Sequence, residues 1–453
     1  MAKAKSLDYL AKPFLRLVEK FYPDAFIFVI ILSILTFFLA ISFTDSSPLQ
    51  TLNAWGSGLP KLFTFTAQIS IIMITAHALA HTEPVEKLLN KIGMLPNSSV
   101  QAYSLVTFVS GVASLFAWSF GLIVGGLISK FVAIGCRKKK IKVHYPLLVA
   151  SAYSGYVIWH MGYSSSAALF VASENHTLQE SIGIIPVTET IFSSFNITTA
   201  LIALLLITLI NPLMRPQTNK NTIEIQKNLF EKTKKENYVN TNNRNFAQII
   251  ENNRLFSLFI GLCLLFFVLH TFYSKGFFLD LNLVSWTFLC CGLILCNSPL
   301  HYVKLVNNAS PTVGPIILQY PFYAGIMGIM ADTGLIKILA DNIVSFSSSE
   351  LLGFYSFLSA GIVNMFIPSG GGQWAVQGPV MVEAAKTLNV DPYVVVLGVA
   401  YGDQWTNMIQ PFWTIPLLAI AGLHMRQIMG YTFVIFIFTG LLYGSAMIFL
   451  GSG

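Results

Sequence analysis

Long apolar segments without a charged residue recur along the chain. Residues 25–43, 192–210, 255–269 and 432–450 contain no acid or base, and the charged residues stand in short clusters between such segments. A helix needs about 20 apolar residues to cross the hydrocarbon core of a bilayer. The pattern therefore predicts an all-α polytopic membrane protein.

Composition indicates a single membrane domain. The 453 residues are 54% hydrophobic and 10% charged, whereas a soluble domain carries about 25% charged residues. The net charge of +7 comes from clusters beside apolar segments, as in cytoplasmic loops, and no motif indicates nucleic-acid binding. The five cysteines show no metal-ligand spacing, and we expect no cofactor.

The basic residues predict the topology. Several lysines and an arginine precede the first apolar segment, which places the N-terminus in the cytoplasm. Following the chain from there predicts about nine spans and two re-entrant hairpins, a polar outer loop at 44–60 and a periplasmic C-terminus. Of the 27 lysines and arginines, those that fall outside in this topology are Lys61, Lys275, Lys337 and Lys386. Such a strong bias of positive charge towards the cytoplasm is expected for a protein of the bacterial inner membrane.

Two interrupted apolar stretches, residues 98–134 and 351–385, are the predicted hairpins. The first lies between basic clusters and is interrupted at residues 114–121. Its arms of about 14 residues would each extend about 20 Å, which is short of a hydrocarbon core of about 30 Å. Non-helical backbone at such a tip is tolerated where it is buried in protein or lines a cavity.

The two halves of the sequence resemble each other. A shift of 250 residues pairs Gly111 with Gly361 and Ser119 with Ser369. Each half contains, in order, two spans, a hairpin, a broken span and a final span. An extra span between the halves inverts the orientation of the second half in the membrane, as in many secondary transporters. The predicted divisions are a first repeat (1–214), a cytoplasmic linker (215–254), a connecting span (255–275) and a second, inverted repeat (276–453).

A glycine-rich motif at residues 368–374 (PSGGGQW) is the sharpest local feature. Three consecutive glycines break a helix and expose backbone N–H groups to a close ligand, and in a broken membrane helix such groups suit a carboxylate. A flexible turn is the alternative interpretation. The candidate substrate-binding residues are Ser119, Trp159, His160, Ser369, Gly370, Gly371, Gly372, Gln373, Trp374 and Asn407.

Residues 401–411 (YGDQWTNMIQP) place one acid and several amides inside an apolar segment. An acid within a membrane span is a functional-site hypothesis by default, so Asp403 is our candidate for holding a proton or Na⁺. A buried structural hydrogen bond is the alternative. Ser114 and Asn364 join it as coupling-ion candidates, and a Na⁺ site would use Asn364, Asp403 and Asn407.

Residues 153–166 (YSGYVIWHMGYSSS) form the corresponding segment of the first half. Its His160 is a candidate proton carrier or substrate donor; a hydrogen-bonded core histidine is the alternative. Because the candidate site contains no lysine or arginine, it favours a single carboxylate with a small apolar tail near Trp159, Trp374 and Trp405.

Residues 364–385 (NMFIPSGGGQWAVQGPVMVEAA) and 402–413 (GDQWTNMIQPFW) closely resemble the AtoE-type short-chain fatty acid transporters, and the likeness runs along the whole chain. The layout also resembles the wider ion-transporter superfamily, whose hairpin tips often carry Ser-Asn-Thr. This chain has Ser-Leu-Phe at 114 and Asn-Met-Phe at 364.

The resemblance implies uptake of monocarboxylates such as butyrate or acetoacetate, coupled to H⁺ or Na⁺. It also implies an elevator-type fold and a homodimer formed through a scaffold domain. A carrier of another organic anion, such as a dicarboxylate or an amino-acid conjugate, is the main alternative. A channel and a membrane enzyme are less favoured, and the spans contain no His-Glu-x-x-His or paired aspartates.

Overall fold

The computed structural model is predominantly helical in the part of the chain that it describes. These residues are 25–172, 178–216, 222–226, 245–276, 281–335, 338, 345–365, 367–368 and 370–451. Within these ranges there is no β-strand, so the predicted all-α fold is confirmed.

The α-helices are connected by short turns and by four 3₁₀ segments within the described ranges. Their bounds are α1 Ala25–Phe43, α2 Pro48–Gly58, α3 Phe63–Ala80, α4 Glu83–Gly93, α5 Ser99–Phe116, α6 Trp118–Lys138, α7 Tyr145–Ser154, α8 Ser166–Ala172, α9 Gln179–Ile182, α10 Ser194–Ile210, α11 Phe246–Asn252, α12 Arg254–Lys275, α13 Leu281–Leu295, α14 Pro299–Ala309, α15 Gly314–Asp332, α16 Leu352–Asn364, α17 Gly370–Thr387, α18 Pro392–Thr406, α19 Thr414–Ala421 and α20 Met425–Gly451. The 3₁₀ segments are Leu59–Leu62, Gly155–Met161, Asn211–Met214 and Ser310–Thr312.

Several helices have the length and composition of membrane spans. In the described part of the chain there are six, or seven if the bent pair of α14 and α15 counts as one. The total of about nine spans stays a prediction, because the broken spans are divided into helices of 15 residues or fewer. A span interrupted in this way does not register as one long helix.

The predicted outer connection at 44–60 is not a loop, since α2 occupies most of it; its place outside the membrane stays a prediction. The Ser47 side chain accepts from the Gln50 N–H, the Gln50 side chain accepts from the Ser47 N–H, and Pro48 takes the first turn. This capping box starts a helix even in a polar stretch. α2 then packs closely on α15, where a Cβ on Gly58 would lie 3.0 Å from the Cα of Gly328.

Hairpin 1, formed by α5 and α6, has longer arms than predicted. The helices contain 18 and 21 residues, not about 14, because one extended residue, Ala117 (φ −155°, ψ 133°), is enough to break them. The arms run antiparallel, with Ser110 Oγ 3.4 Å from the carbonyl oxygen of Gly121. Each arm has the length of a span, so re-entry stays a prediction that rests on the basic flanks alone.

Two broken spans lie beside the hairpins. The first consists of α7, the 3₁₀ segment Gly155–Met161 and α8; the second consists of α18 and α19, separated by residues 407–413. The second break starts within residues 401–411, the polar segment singled out from the sequence, because α18 continues to Thr406.

Each broken span approaches a hairpin through a pair of glycines. A Cβ on Gly155 would meet the backbone of Gly111, and one on Gly402 would lie 2.9 Å from the backbone N of Gly361. Hairpin 2, formed by α16 and α17, therefore packs on the second broken span as hairpin 1 packs on the first. The inverted repeat itself stays a prediction.

The linker at 215–254 lies partly outside the described residues. Its residues 222–226 bind the start of α7, where the Tyr145 N–H donates to the Ile223 carbonyl (2.8 Å) and the Ile223 N–H donates to His144 Nδ1 (3.1 Å). Residues 246–252 form α11. The described residues 222–226 of the linker therefore contact the membrane domain at the start of α7.

Contacts between helix ends fall into two groups. Lys61 forms an ion pair with Asp332 (3.1 Å) and Lys386 donates to Ser181 Oγ (3.0 Å), and both lysines are predicted to face the periplasm. Elsewhere Asn297 Nδ2 donates to Glu83 Oε2 (3.3 Å), between two loops predicted to be cytoplasmic. Which group faces the cytoplasm stays a prediction.

We expect Lys91→Cys and Lys386→Cys to react with a membrane-impermeant thiol reagent from opposite sides of the membrane. Both side chains are exposed, and they lie at the bases of the two hairpins. Lys61→Cys is the matched control and should label from the same side as Lys386→Cys. Labelling of Lys91→Cys and Lys386→Cys from one side would contradict the inverted repeat.

Candidate functional site

His160 connects the two broken spans. Its Nδ1 lies 2.7 Å from Asp403 Oδ2, and both side chains are completely buried. Its backbone N–H donates to Gln404 Oε1 at 3.0 Å. The 3₁₀ winding of Gly155–Met161 places His160 here, at the break in the first span. The two segments that the sequence singled out therefore meet side chain to side chain.

The surroundings of His160 determine its tautomer. The Ala167 N–H donates to Nε2 at 3.1 Å, so Nε2 acts as an acceptor and Nδ1 carries the proton. Nδ1 then donates to the Asp403 carboxylate. In this arrangement the imidazole donates to Asp403 Oδ2, and the other carboxyl oxygen, Asp403 Oδ1, is buried without a partner.

The glycine motif reaches the same histidine. A Cβ on Gly370 would lie 2.5 Å from His160 Cε1 and 3.0 Å from Trp159 Cη2, so only glycine fits there. Trp159 stacks on His160 with ring centroids 4.1 Å apart. Gly370 begins the 18-residue helix α17, whose first N–H groups have no partner within the helix and carry the positive end of its dipole.

The tip of hairpin 1 binds the turn after the 3₁₀ segment Gly155–Met161. The Tyr163 N–H donates to the Leu115 carbonyl (2.8 Å), and the Trp118 N–H donates to Ser164 Oγ (3.0 Å). Ser119 follows in the first turn of α6, completely buried and with its hydroxyl unpartnered. Both hairpin tips thus meet the first broken span.

An amide cluster lies at the C-terminal end of α18. Asn364 Nδ2 is 2.9 Å from three oxygens: the Asp403 carbonyl, Thr406 Oγ1 and Asn407 Oδ1. Gln410 Nε2 also approaches Asn407 Oδ1, at 2.9 Å. The structure brings Asn364 and Asn407 together, as predicted for a cation site. Asp403 contributes its carbonyl here, because its carboxylate turns to His160.

Other predicted site residues have local roles. Ser114 donates to the Ser110 carbonyl of its own helix (2.8 Å), and Gln373 donates to the Ala360 carbonyl of the facing arm (2.9 Å). Trp374 packs in a buried apolar cluster with residues of α8 and α18. Trp405, expected near the substrate, instead stacks on Phe436 and donates to its carbonyl (2.7 Å).

The remaining predicted residues of the glycine motif are Ser369, Gly371 and Gly372. Ser369 lies outside the described residues, and Gly371 and Gly372 are in the first turn of α17. A Cβ on Gly371 would meet only Ser166 Cβ, at 3.7 Å. Gly370 is therefore the tightly packed glycine of this motif.

The charge around the site is limited. In the part of the chain that the structure describes, Asp403 is the one buried carboxylate, and no lysine or arginine is buried. That same part contains no group of three or more His, Cys, Asp and Glu residues able to hold a metal. An anion bound here would depend on neutral donors and helix dipoles.

Sequence reasoning missed several polar neighbours of this site. Gln404, Thr406 and Gln410 bind His160 or the amide cluster, and Ser166 Oγ lies 3.2 Å from His160 Nε2. All four lie within, or directly beside, the motifs singled out from the sequence. Their amide and hydroxyl chemistry inside an apolar segment was the available signal.

The sequence model of the family described as short chain fatty acid transporter matches residues 6–450. The chain belongs to this family. Two relatives, from Escherichia coli (strain K12) and Haemophilus influenzae, carry the name "Putative short-chain fatty acid transporter" and are each 34% identical to it. The alignments cover 94% and 96% of this chain and 96% and 97% of the relatives.

Two solved structures are also similar to this family member. The crystal structure of the YdaH transporter of Alcanivorax borkumensis has a TM-score of 0.49 at 13% identity and covers 95% of this chain and 98% of that chain. MtrF of Neisseria gonorrhoeae, titled as one of a class of antimetabolite efflux pumps, has a TM-score of 0.46 at 15% identity and covers 97% of both chains.

Family membership confirms the resemblance seen in the sequence motifs. This short-chain fatty acid transporter family member is a transport protein and not an enzyme. Its apolar helices make it a multi-pass membrane protein.

Proposed function

We propose that this family member is a secondary transporter that takes up short-chain monocarboxylates of the butyrate and acetoacetate class across the bacterial inner membrane, coupled to H⁺ or Na⁺. The observation that carries the proposal is the buried His160–Asp403 pair beside Gly370 at the start of α17. An anion-binding helix end and a group able to hold a cation then lie side by side.

The substrate carboxylate binds the N-terminus of α17. The N–H groups of Gly370, Gly371 and Gly372 supply donors there, and the helix dipole favours a negative charge. The Trp159 ring packs beside the alkyl chain of the substrate. His160 holds Asp403, since Nδ1 donates to the carboxylate and Nε2 is already bound by Ala167.

Coupling requires a cation because an anion entering an inside-negative cell moves uphill, by about 2.3 kcal/mol per charge per 100 mV. If the ion is a proton, Asp403 Oδ1 holds it, since that oxygen is unpartnered. A proton on His160 Nε2 would break the bond from Ala167.

If the ion is Na⁺, the amide cluster holds it. A half-turn of the Asn364 amide would exchange Nδ2 for Oδ1 and bring four oxygens together, from Asn364, Asp403, Thr406 and Asn407. Carbonyls at the C-terminal end of a broken helix suit a cation. Ser114 donates within its own helix, which makes it the weakest coupling-ion candidate.

A single carboxylate fits the charge of the site better than two. A dicarboxylate would place a second negative charge in the site. No lysine or arginine is buried among the described residues to pair with it. A carrier of another organic anion is therefore the second candidate.

The proposed transport cycle uses the two inverted repeats. We infer a first repeat at 1–214, a linker at 215–254, a connecting span at 255–275 and an inverted repeat at 276–453. The hairpins at 98–134 and 351–385 belong to a transport domain that moves in elevator fashion, and scaffold helices form a homodimer. The N-terminus is cytoplasmic and the C-terminus periplasmic.

We expect purified protein in proteoliposomes to accumulate labelled butyrate when a Na⁺ gradient or a pH gradient is imposed. The ion whose gradient drives accumulation identifies the coupling site, Asp403 for H⁺ or the amide cluster for Na⁺. Succinate serves as the control substrate and should not be accumulated. Uptake of succinate in preference to butyrate would contradict the proposed substrate class.

A further inference from the structure

Three aromatic residues at the breaks of the two spans, one of them Trp159 beside His160, have buried polar atoms without a hydrogen-bond partner. They are Tyr156 with its hydroxyl, and Trp159 and Trp413 with their indole Nε1 atoms. Their exposed fractions are 1%, 3% and 4%. Buried donors almost always have an acceptor, and an exception in a native structure often indicates a ligand or water that completes it.

The three rings are neighbours from both broken spans. The ring centroid of Tyr156 lies 5.9 Å from that of Trp159 and 5.9 Å from that of Trp413. Trp413 also contacts Trp118, at the start of α6, with ring centroids 5.0 Å apart. The cluster therefore joins the first break, the second break and the tip of hairpin 1.

This cluster is distinct from the carboxylate position at the start of α17. Trp159 meets Gly370 through Cη2, on the benzene side of its indole, whereas the unpartnered Nε1 is on the pyrrole side of the same ring. The Trp159 donor is therefore directed away from the carboxylate position at α17, and Tyr156 and Trp413 continue the cluster from Trp159. Nearby, the Tyr153 hydroxyl already donates to the Asn407 carbonyl, at 2.7 Å.

We propose that Tyr156, Trp159 and Trp413 form a second polar subsite that binds an oxygen substituent on the acyl chain. The site then favours hydroxy- or oxo-substituted monocarboxylates over unsubstituted acids of equal length. An unsubstituted chain would leave the buried donors unpaired, and a site built to hydrogen-bond a substrate discriminates strongly against an analogue that lacks the group. This inference rests on the proposed function, because it assumes a monocarboxylate.

The test compares three four-carbon acids, butyrate, 3-hydroxybutyrate and acetoacetate, as competitors of labelled acetoacetate for binding to the purified full-length protein. The wild type is expected to bind the two oxygenated acids at least about tenfold more tightly than butyrate. Tyr156→Phe should reduce this preference about fivefold or more, while affinity for butyrate is unchanged or improved. Trp413→Phe tests the same donors independently of Tyr156.

Tyr153→Phe is the matched control. It removes a hydroxyl from the adjacent ring, 5.8 Å from Tyr156, but one that already has a protein partner. It should change the affinities for all three acids by the same factor.

Two results would overturn the subsite. One is a wild type that binds the three acids equally. The other is an equal loss for all three in Tyr156→Phe and Trp413→Phe, which would assign these donors to the carboxylate. If the wild type binds none of the acids, the proposed function itself fails, and the subsite with it.

Discussion

Asp403→Asn should abolish gradient-driven accumulation of butyrate and retain exchange of butyrate at equilibrium. Asparagine has nearly the same shape and can still accept the His160 Nδ1–H, but it has no charge to attract a cation. Without a coupled cation, a potential of about 100 mV would exclude the anion roughly 50-fold. The measurement is the ratio of internal to external labelled butyrate in proteoliposomes, beside counterflow without a gradient.

Asp391→Asn is the matched control for this charge. Asp391 precedes the first turn of the same helix, is exposed and makes no side-chain capping bond. It should accumulate butyrate as the wild type does. If Asp403→Asn also accumulates butyrate normally, the Asp403 carboxylate does not hold the coupling ion. The amide cluster, to which residue 403 contributes only its backbone carbonyl, then becomes the next candidate, followed by His160.

Gly370→Ala should nearly eliminate transport, whereas Gly371→Ala should be tolerated. The added Cβ at 370 would lie 2.5 Å from His160 Cε1, so α17 or the histidine must move. A shift of ~1 Å at such a site can reduce activity about 100-fold. The same methyl group at 371 would meet only Ser166 Cβ at 3.7 Å.

The measurement is the initial rate of butyrate uptake at several concentrations, for variants expressed to equal levels in the membrane. Because both variants add one methyl group to consecutive glycines of one helix, a difference between them reports the local packing and not helix propensity. Equal activity of the two variants would contradict the placement of Gly370 against His160.

The sequence by itself determined the class of protein and the segments that matter. The length of an apolar segment and the placement of charges are properties of consecutive residues. The sequence therefore indicated an all-α membrane protein directly. The motifs around Asp403, His160 and Gly370 were recognisable because acids, amides and consecutive glycines are costly inside a membrane span. The chemistry of these motifs and their resemblance to a family could therefore be recognised from the sequence without knowledge of the fold.

The tertiary structure alone decided which of these groups meet. His160 and Asp403 are 243 residues apart, and only the packing of the broken spans brings the imidazole to the carboxylate. The same packing turns Trp405 away towards Phe436 and selects Gly370 as the close contact. Hydropathy could not show that a single extended residue, Ala117, divides hairpin 1. Helix breaks and side-chain directions depend on backbone angles and distant neighbours, which a sequence pattern does not contain.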